Sequence, residues 1–279
     1  MTFGITALVL LAALMHASWN ALIKSSRDPA LNTAMLVGAT AVLCAPLLPL
    51  VPAPASASWP FMLASVLVHQ VYFALLAQAY RHGDLSFAYP LMRGLPPVLV
   101  ACAGTLLLPD ATPPTLWLGV IAVSIGVLWI GGFRRTLRHA QLRPALIALA
   151  AAALIACYTL IDGMGVRRAE SPLGYTLWLT FFAALPYMAN AWRTQKTALL
   201  RHATSHWPRA LLAGALSVGA YAIALWAMTQ ASVAAVAALR ETSVIFAALI
   251  GSLLLKEPFG RDRVTGACIV VIGIAIMKL

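Results

Sequence analysis

Arg93 and Arg240 stand deep inside apolar runs of this sequence. A charge at such a position costs about 2.5–3.5 kcal/mol to insert into a bilayer unless it faces a cavity or a partner. A guanidinium grips a carboxylate or phosphate through two parallel hydrogen bonds and stays charged, so the pair suits an anionic or zwitterionic solute. Their other use is to lock the protein by pairing with carboxylates or helix-end carbonyls. Glu241 follows Arg240 by about 100° of helix rotation and points elsewhere. It could hold an ammonium group, carry a proton, or pair with Arg93, Arg240 or His69.

In HASWNALIK, residues 16–24, His16 and Asn20 recur four residues apart with Trp19 beside them, and Lys24 extends the stripe to a helix end, where it would snorkel. Histidine carries a proton near neutral pH, and asparagine orients a ligand or bonds across helices. His69, Tyr72 and Tyr221 lie at mid-depth in other runs and complete the candidate binding set; Gln70, Gln78, Trp226 and Gln230 share those runs. Glu241, His16 and Asp162 are the candidate proton carriers, with Asp162 expected near an interface, in contact with water.

The elements that must position these groups are membrane helices. Of the 279 residues 62% are hydrophobic and 10% charged, and the mean hydropathy is +0.88, outside the range of soluble domains. Apolar runs fall at about 2–22, 31–51, 59–80, 86–108, 114–132, 144–162, 173–191, 208–229, 233–255 and 263–278. Without strict alternation they read as ten helices of an all-α bundle and not as a barrel. No basic segment precedes the first run, which is therefore expected to be kept and not cleaved. Pro90, Pro96 and Pro97 should break the run around Arg93, and Pro97 frees the Arg93 carbonyl, whereas the run around Arg240 contains no proline. Cys44, Cys102, Cys157 and Cys268 lie inside apolar runs at no metal spacing and are expected to be packing residues.

A shift of 147 residues, without gaps, sets Arg93 on Arg240, Gly104 on Gly251, Asp110 on Glu257, Gly119 on Gly266 and Gly126 on Gly273. At the starts of the halves HASWNAL can be set on ACYTLI, Trp19 on Tyr158, at a different offset. The expected division is 1–133 and 144–279, joined by a basic loop over 134–143. Five helices per half is an odd number, so equivalent helices cross in opposite directions, the inverted repeat of many secondary transporters.

The formal charge of +11 does not point to nucleic acid, because the basic residues sit between apolar runs. Fourteen of the 19 Lys and Arg fall in the odd-numbered loops, which places both termini outside the cytoplasm by the positive-inside rule.

The helix ending in GTLLLPD or GSLLLKEP, followed by the Gly-spaced LGVIAVSIGVL or TGACIVVIGIAI, resembles the EamA-type members of the drug/metabolite transporter superfamily. The likeness extends over essentially the whole chain, and the first half departs from it with Pro109-Asp110 in place of Lys-Glu. The HASWN opening is also similar to a subgroup associated with phosphonate use. The resemblance implies a secondary carrier in the cytoplasmic (inner) membrane of a bacterium, a monomer or homodimer with no cofactor or metal. Its solute would be small and anionic or zwitterionic, amino-acid-like or aminophosphonate-like, moved by alternating access, with protons as the candidate coupling partner. A second reading is a flippase for a phosphate-bearing lipid-linked amphiphile. With no HExxH, GxSxG or GxGD motif and no Cys/His cluster, an enzyme is not expected.

Overall fold

The computed structural model describes residues 1–24, 29–82, 85–110, 112–132, 142–255 and 260–278. The connecting loop at 133–141, the Lys256-Glu257-Pro258 motif, Arg27 and the side chains of Lys24, Gln78 and Arg81 lie outside the described residues.

The chain is all-helical: α1 Phe3–Lys24, α2 Pro29–Cys44, α3 Trp59–His82, α4 Leu85–Gly94, α5 Pro96–Leu107, α6 Pro114–Ile130, α7 Leu142–Val166, α8 Pro172–Gln230, α9 Val233–Arg240, α10 Ser243–Leu255 and α11 Arg261–Ile276. Seven helical stretches among the described residues are long and apolar enough to cross a membrane, which makes this an integral membrane protein. Helices α6 and α11, of 17 and 16 residues, are shorter. Large aliphatic side chains such as Leu63, Leu67, Leu106, Leu118, Leu253 and Val271 are exposed, while Ser58, Ser65, Asp162 and Thr176 are fully buried. That distribution suits a protein whose surroundings are hydrocarbon.

Helix α8 has 59 residues, about 88 Å if straight at 1.5 Å per residue, far more than a bilayer core of about 30 Å. It leaves helical geometry at Gln195 (φ −141°, ψ 28°). A Cβ on Gly38 would sit 3.1 Å from Met188 Cε, and one on Gly214 would sit 3.1 Å from the Cβ of the adjacent Ala39. Met188 and Gly214 therefore meet the same turn of α2 from opposite sides of Gln195, so α8 folds back into two limbs, 172–194 and 196–230.

The prolines divide the fourth run as expected. A bend at Leu95 separates α4 from α5, and Pro96 and Pro97 open α5, where a missing N–H does no harm. The run around Arg240 also breaks, although it has no proline. At its break Glu241, Thr242, Val244 and Ile245 donate to carbonyls three residues back, and the Thr242 hydroxyl donates to Leu239 O at 2.8 Å. This tight 3₁₀-like turn ends α9 where Glu241 and Ser243 both reach Arg93. In the 147-residue register Thr242 aligns with Leu95, so both breaks fall at the same position of that alignment.

Helices α6 and α11 touch backbone to backbone. A Cβ on Gly119 would lie 2.6 Å from Gly273 O, and one on Gly126 would lie 2.7 Å from Gly266 O. The order of these contacts makes the two helices antiparallel, and only glycine permits such an approach. Of the four cysteines only Cys44 is buried. Cys102, Cys157 and Cys268 are exposed on outer helix faces, which corrects the expectation that all four pack inside.

Candidate substrate-binding site

A cavity of about 260 Å³ lies between the helices. His16, Trp19 and Asn20 line it from α1, His69 and Tyr72 from α3, Arg93 from α4, Tyr221 from α8 and Arg240 from α9. Eight of the nine residues predicted to bind substrate therefore share one space. Glu241 does not line it.

The two arginines differ in their surroundings. Arg93 Nε stands 3.0 Å from Glu241 Oε2, both side chains mostly buried (11% and 6% exposed), and Arg93 Nη2 donates to Ser243 Oγ at 3.0 Å. Glu241 thus faces Arg93 across two broken helices and not an ammonium group in the cavity. Arg240 has no carboxylate within ion-pair distance among the described residues; its guanidinium carbon lies 5.5 Å from the centroid of the Tyr221 ring. A cation on an aromatic face retains most of its capacity to attract an anion.

The remaining wall is aromatic with scattered donors. His16 meets Trp19 edge to face at 4.9 Å, and the indole N–H of Trp19 is buried without an acceptor among the described residues. Asn20 Nδ2 donates to His16 O at 2.8 Å, so its amide is held along α1. His69 Nδ1 lies 2.8 Å from Ser65 O, which makes it the donor there, and its ring stacks on Tyr158 at 4.3 Å. Tyr158 and Thr180 are lining residues that sequence reasoning did not select. A signal existed for Tyr158, which precedes Asp162 by four residues and so shares its helix face.

Asp162 is fully buried on α7, not interfacial and solvated as the sequence suggested, because α7 continues to Val166 and the carboxylate turns inward. Tyr175 donates to its Oδ1 at 3.1 Å, and Tyr221 donates to its Oδ2. Tyr221 therefore contacts Asp162 through its hydroxyl and Arg240 through its ring. Of the secondary polar residues, Gln70 joins α3 to α8 by donating to Ala183 O at 2.9 Å, while Trp226 and Gln230 are exposed.

A second polar cluster lies outside the cavity. Arg167 binds Asp110 through both terminal nitrogens, at 2.7 and 3.1 Å, and also donates to Met228 O and Ala231 O. Asp110 Oδ2 further accepts from Val233 N at 3.0 Å, at the start of the helix that carries Arg240. One carboxylate thus joins the α5–α6 loop, the end of α7 and the start of α9.

Residues 142–279 match the EamA-like transporter family. That match places the protein in the EamA-like transporter family. The family's members are membrane transporters of the drug/metabolite type, and the protein is a multi-pass membrane protein. No protein of curated function matches this EamA-like chain. A solved structure described as a crystal structure of a protein superposes on it with a TM-score of 0.78 at 16% identity, covering 100% of this chain and 98% of that one, and so shares the fold.

Proposed function

We propose that this EamA-like protein is a secondary carrier of a small organic anion, a carboxylate or phosphonate, which binds at Arg240 in the central cavity. The observation that carries the reading is the contrast between the arginines. Both line the cavity, but Arg93 is ion-paired with Glu241, whereas Arg240 lies over the Tyr221 ring with no carboxylate at ion-pair distance among the described residues. An amino-acid-like or aminophosphonate-like zwitterion fits if its ammonium meets aromatic faces, since no carboxylate of the described residues lines the cavity. A volume of about 260 Å³ suits a small solute better than a lipid-linked sugar phosphate.

Alternating access follows from an inverted repeat. Counting the two limbs of α8 and the short α6 and α11 as crossings, with α4–α5 and α9–α10 as one broken crossing each, gives ten in two halves. The coincident breaks at Leu95 and Thr242 and the reciprocal contacts Gly119–Gly273 and Gly126–Gly266 support this arrangement. The cavity draws on the second half of α1 and the first half of α2, while the Arg167 cluster lies at the other end of the bundle. With the odd-numbered loops and their basic residues in the cytoplasm of a bacterium, the cavity lies toward the cytoplasmic side and Arg167 secures the opposite one.

Purified protein is screened by thermal shift against carboxylates, phosphonates, zwitterions and cationic drugs, and compounds that bind are tested for uptake into proteoliposomes with and without a pH gradient. Anions should stabilise the wild type and lose their effect in Arg240→Gln. Stabilisation by cationic drugs alone would refute an anion site.

A further inference from the structure

Resting on the reading of the cavity as an anion site, we propose that Asp162 is the proton-binding group and that Tyr221 couples its protonation to an anion at Arg240. Asp162 is a completely buried acidic side chain with no cation at ion-pair distance among the described residues. An ionisable group kept under those conditions inside a membrane protein needs a role. Glu241 is committed to Arg93. His16 lines the cavity itself, together with both arginines.

The groups facing Asp162 come from three helices. Tyr175 and Tyr221 donate to it from the two sides of one α8 limb bend, Tyr175 on 172–194 and Tyr221 on 196–230. Ser65 and His69 approach from α3, with the Ser65 hydroxyl beside both Asp162 and His69 Nδ1, which lies 3.2 Å from it. Cys157 and Tyr158 lie close on α7 itself. His69 lines the cavity, so His69 and Ser65 form a path from cavity water to the buried carboxylate.

Counting protons shows how Tyr221 transmits the state of Asp162. An ionised carboxylate only accepts hydrogen bonds, so the Tyr221 O–H must point at it. A protonated carboxyl has its own O–H, which it donates to the Tyr221 oxygen. The phenol hydrogen then turns away from Asp162 toward the cavity, where an anion on Arg240 accepts it. No covalent bond changes other than the O–H bond formed at Asp162 by a proton arriving from cavity water through His69 and Ser65. Anion and proton thus bind together, and each raises affinity for the other. The coupled species is one proton per monoanion, an electrically neutral cargo.

The test uses the full chain in lipid nanodiscs with acetate and methanesulfonate as probes, both of which keep their charge through the neutral range. Infrared difference spectra across a pH titration read the carbonyl stretch of a protonated carboxyl, and probe affinity is measured over the same range. In the wild type a carboxyl band should grow on acidification and be enhanced by the probe. Above the titration of Asp162, probe affinity should fall about tenfold per pH unit, as expected for one linked proton. Asp162→Asn should remove the band and flatten the affinity profile. Tyr221→Phe should keep the band and still flatten the profile, which a purely structural role for either residue would not produce. Probe binding that needs Arg240 but has the same pH slope in Tyr221→Phe overturns the coupling and leaves the carrier reading standing, as does a band that survives in Asp162→Asn. Failure of both anions to bind overturns the anion site and the coupling with it.

Discussion

Arg93 and Arg240 align with each other in the two halves of the chain, yet their replacement should have different consequences. Substituting Arg93 by Gln leaves Glu241 buried without its cation. At 3.0 Å between Nε and Oε2 the charge centres are about 4 Å apart, worth about 4 kcal/mol at an effective dielectric constant of about 20. Removing one member of a buried pair costs about 3–5 kcal/mol, because the other charge is stranded. Arg240→Gln loses a contact with the Tyr221 ring worth about 0.5–2 kcal/mol. The assay is unfolding in mixed detergent for Arg93→Gln, Glu241→Gln, the double substitution and Arg240→Gln. Each of the first two should lose about 3–5 kcal/mol, and the double should lose less than their sum by at least about 1 kcal/mol. Arg240→Gln should stay within about 2 kcal/mol of the wild type while anion binding disappears. Strict additivity in the double substitution, or an Arg240→Gln as unstable as Arg93→Gln, would refute the division of the arginines into a structural and a binding one.

Gly126→Ala should destabilise by about 1–3 kcal/mol or more, since its Cβ would stand 2.7 Å from Gly266 O, whereas Gly4→Ala, with nothing within 4 Å, should lose no stability; thermal unfolding of the two compares them. Asp110→Ala removes both the Arg167 pairing and the acceptor for Val233 N, and should cost about 1–3 kcal/mol in the same assay. Arg167→Lys should not substitute for arginine, because an ammonium cannot span two carboxylate oxygens and two carbonyls. A reporter fused after Leu279 that is active only outside the cytoplasm is the expected outcome for the orientation set by the basic loops, and activity only in the cytoplasm would overturn it.

The membrane-spanning helical character, the break at Pro96 and Pro97, and the list of polar side chains worth attention were legible in the sequence. Each depends on local chemistry: the hydropathy of a run, the missing N–H of proline, the cost of a charge among aliphatic residues. The break after Arg240 was not legible, since it is made by Thr242 and by the pull of Arg93 on Glu241 and Ser243, without a breaking residue. Asp162 was misjudged for a similar reason. Its position near the end of an apolar run suggested water, and only the folding back of α8 brings Tyr175 and Tyr221 onto it.

By itself, then, the sequence determined that this is a membrane protein and singled out the polar side chains inside its apolar runs, because insertion energies are paid residue by residue. The tertiary structure alone decided which of two matching cavity-lining arginines pairs with a buried carboxylate and which has none within ion-pair distance among the described residues. That choice depends on contacts such as Arg93 with Ser243, 150 residues apart, and Tyr221 with Asp162, 59 apart, which no local pattern records.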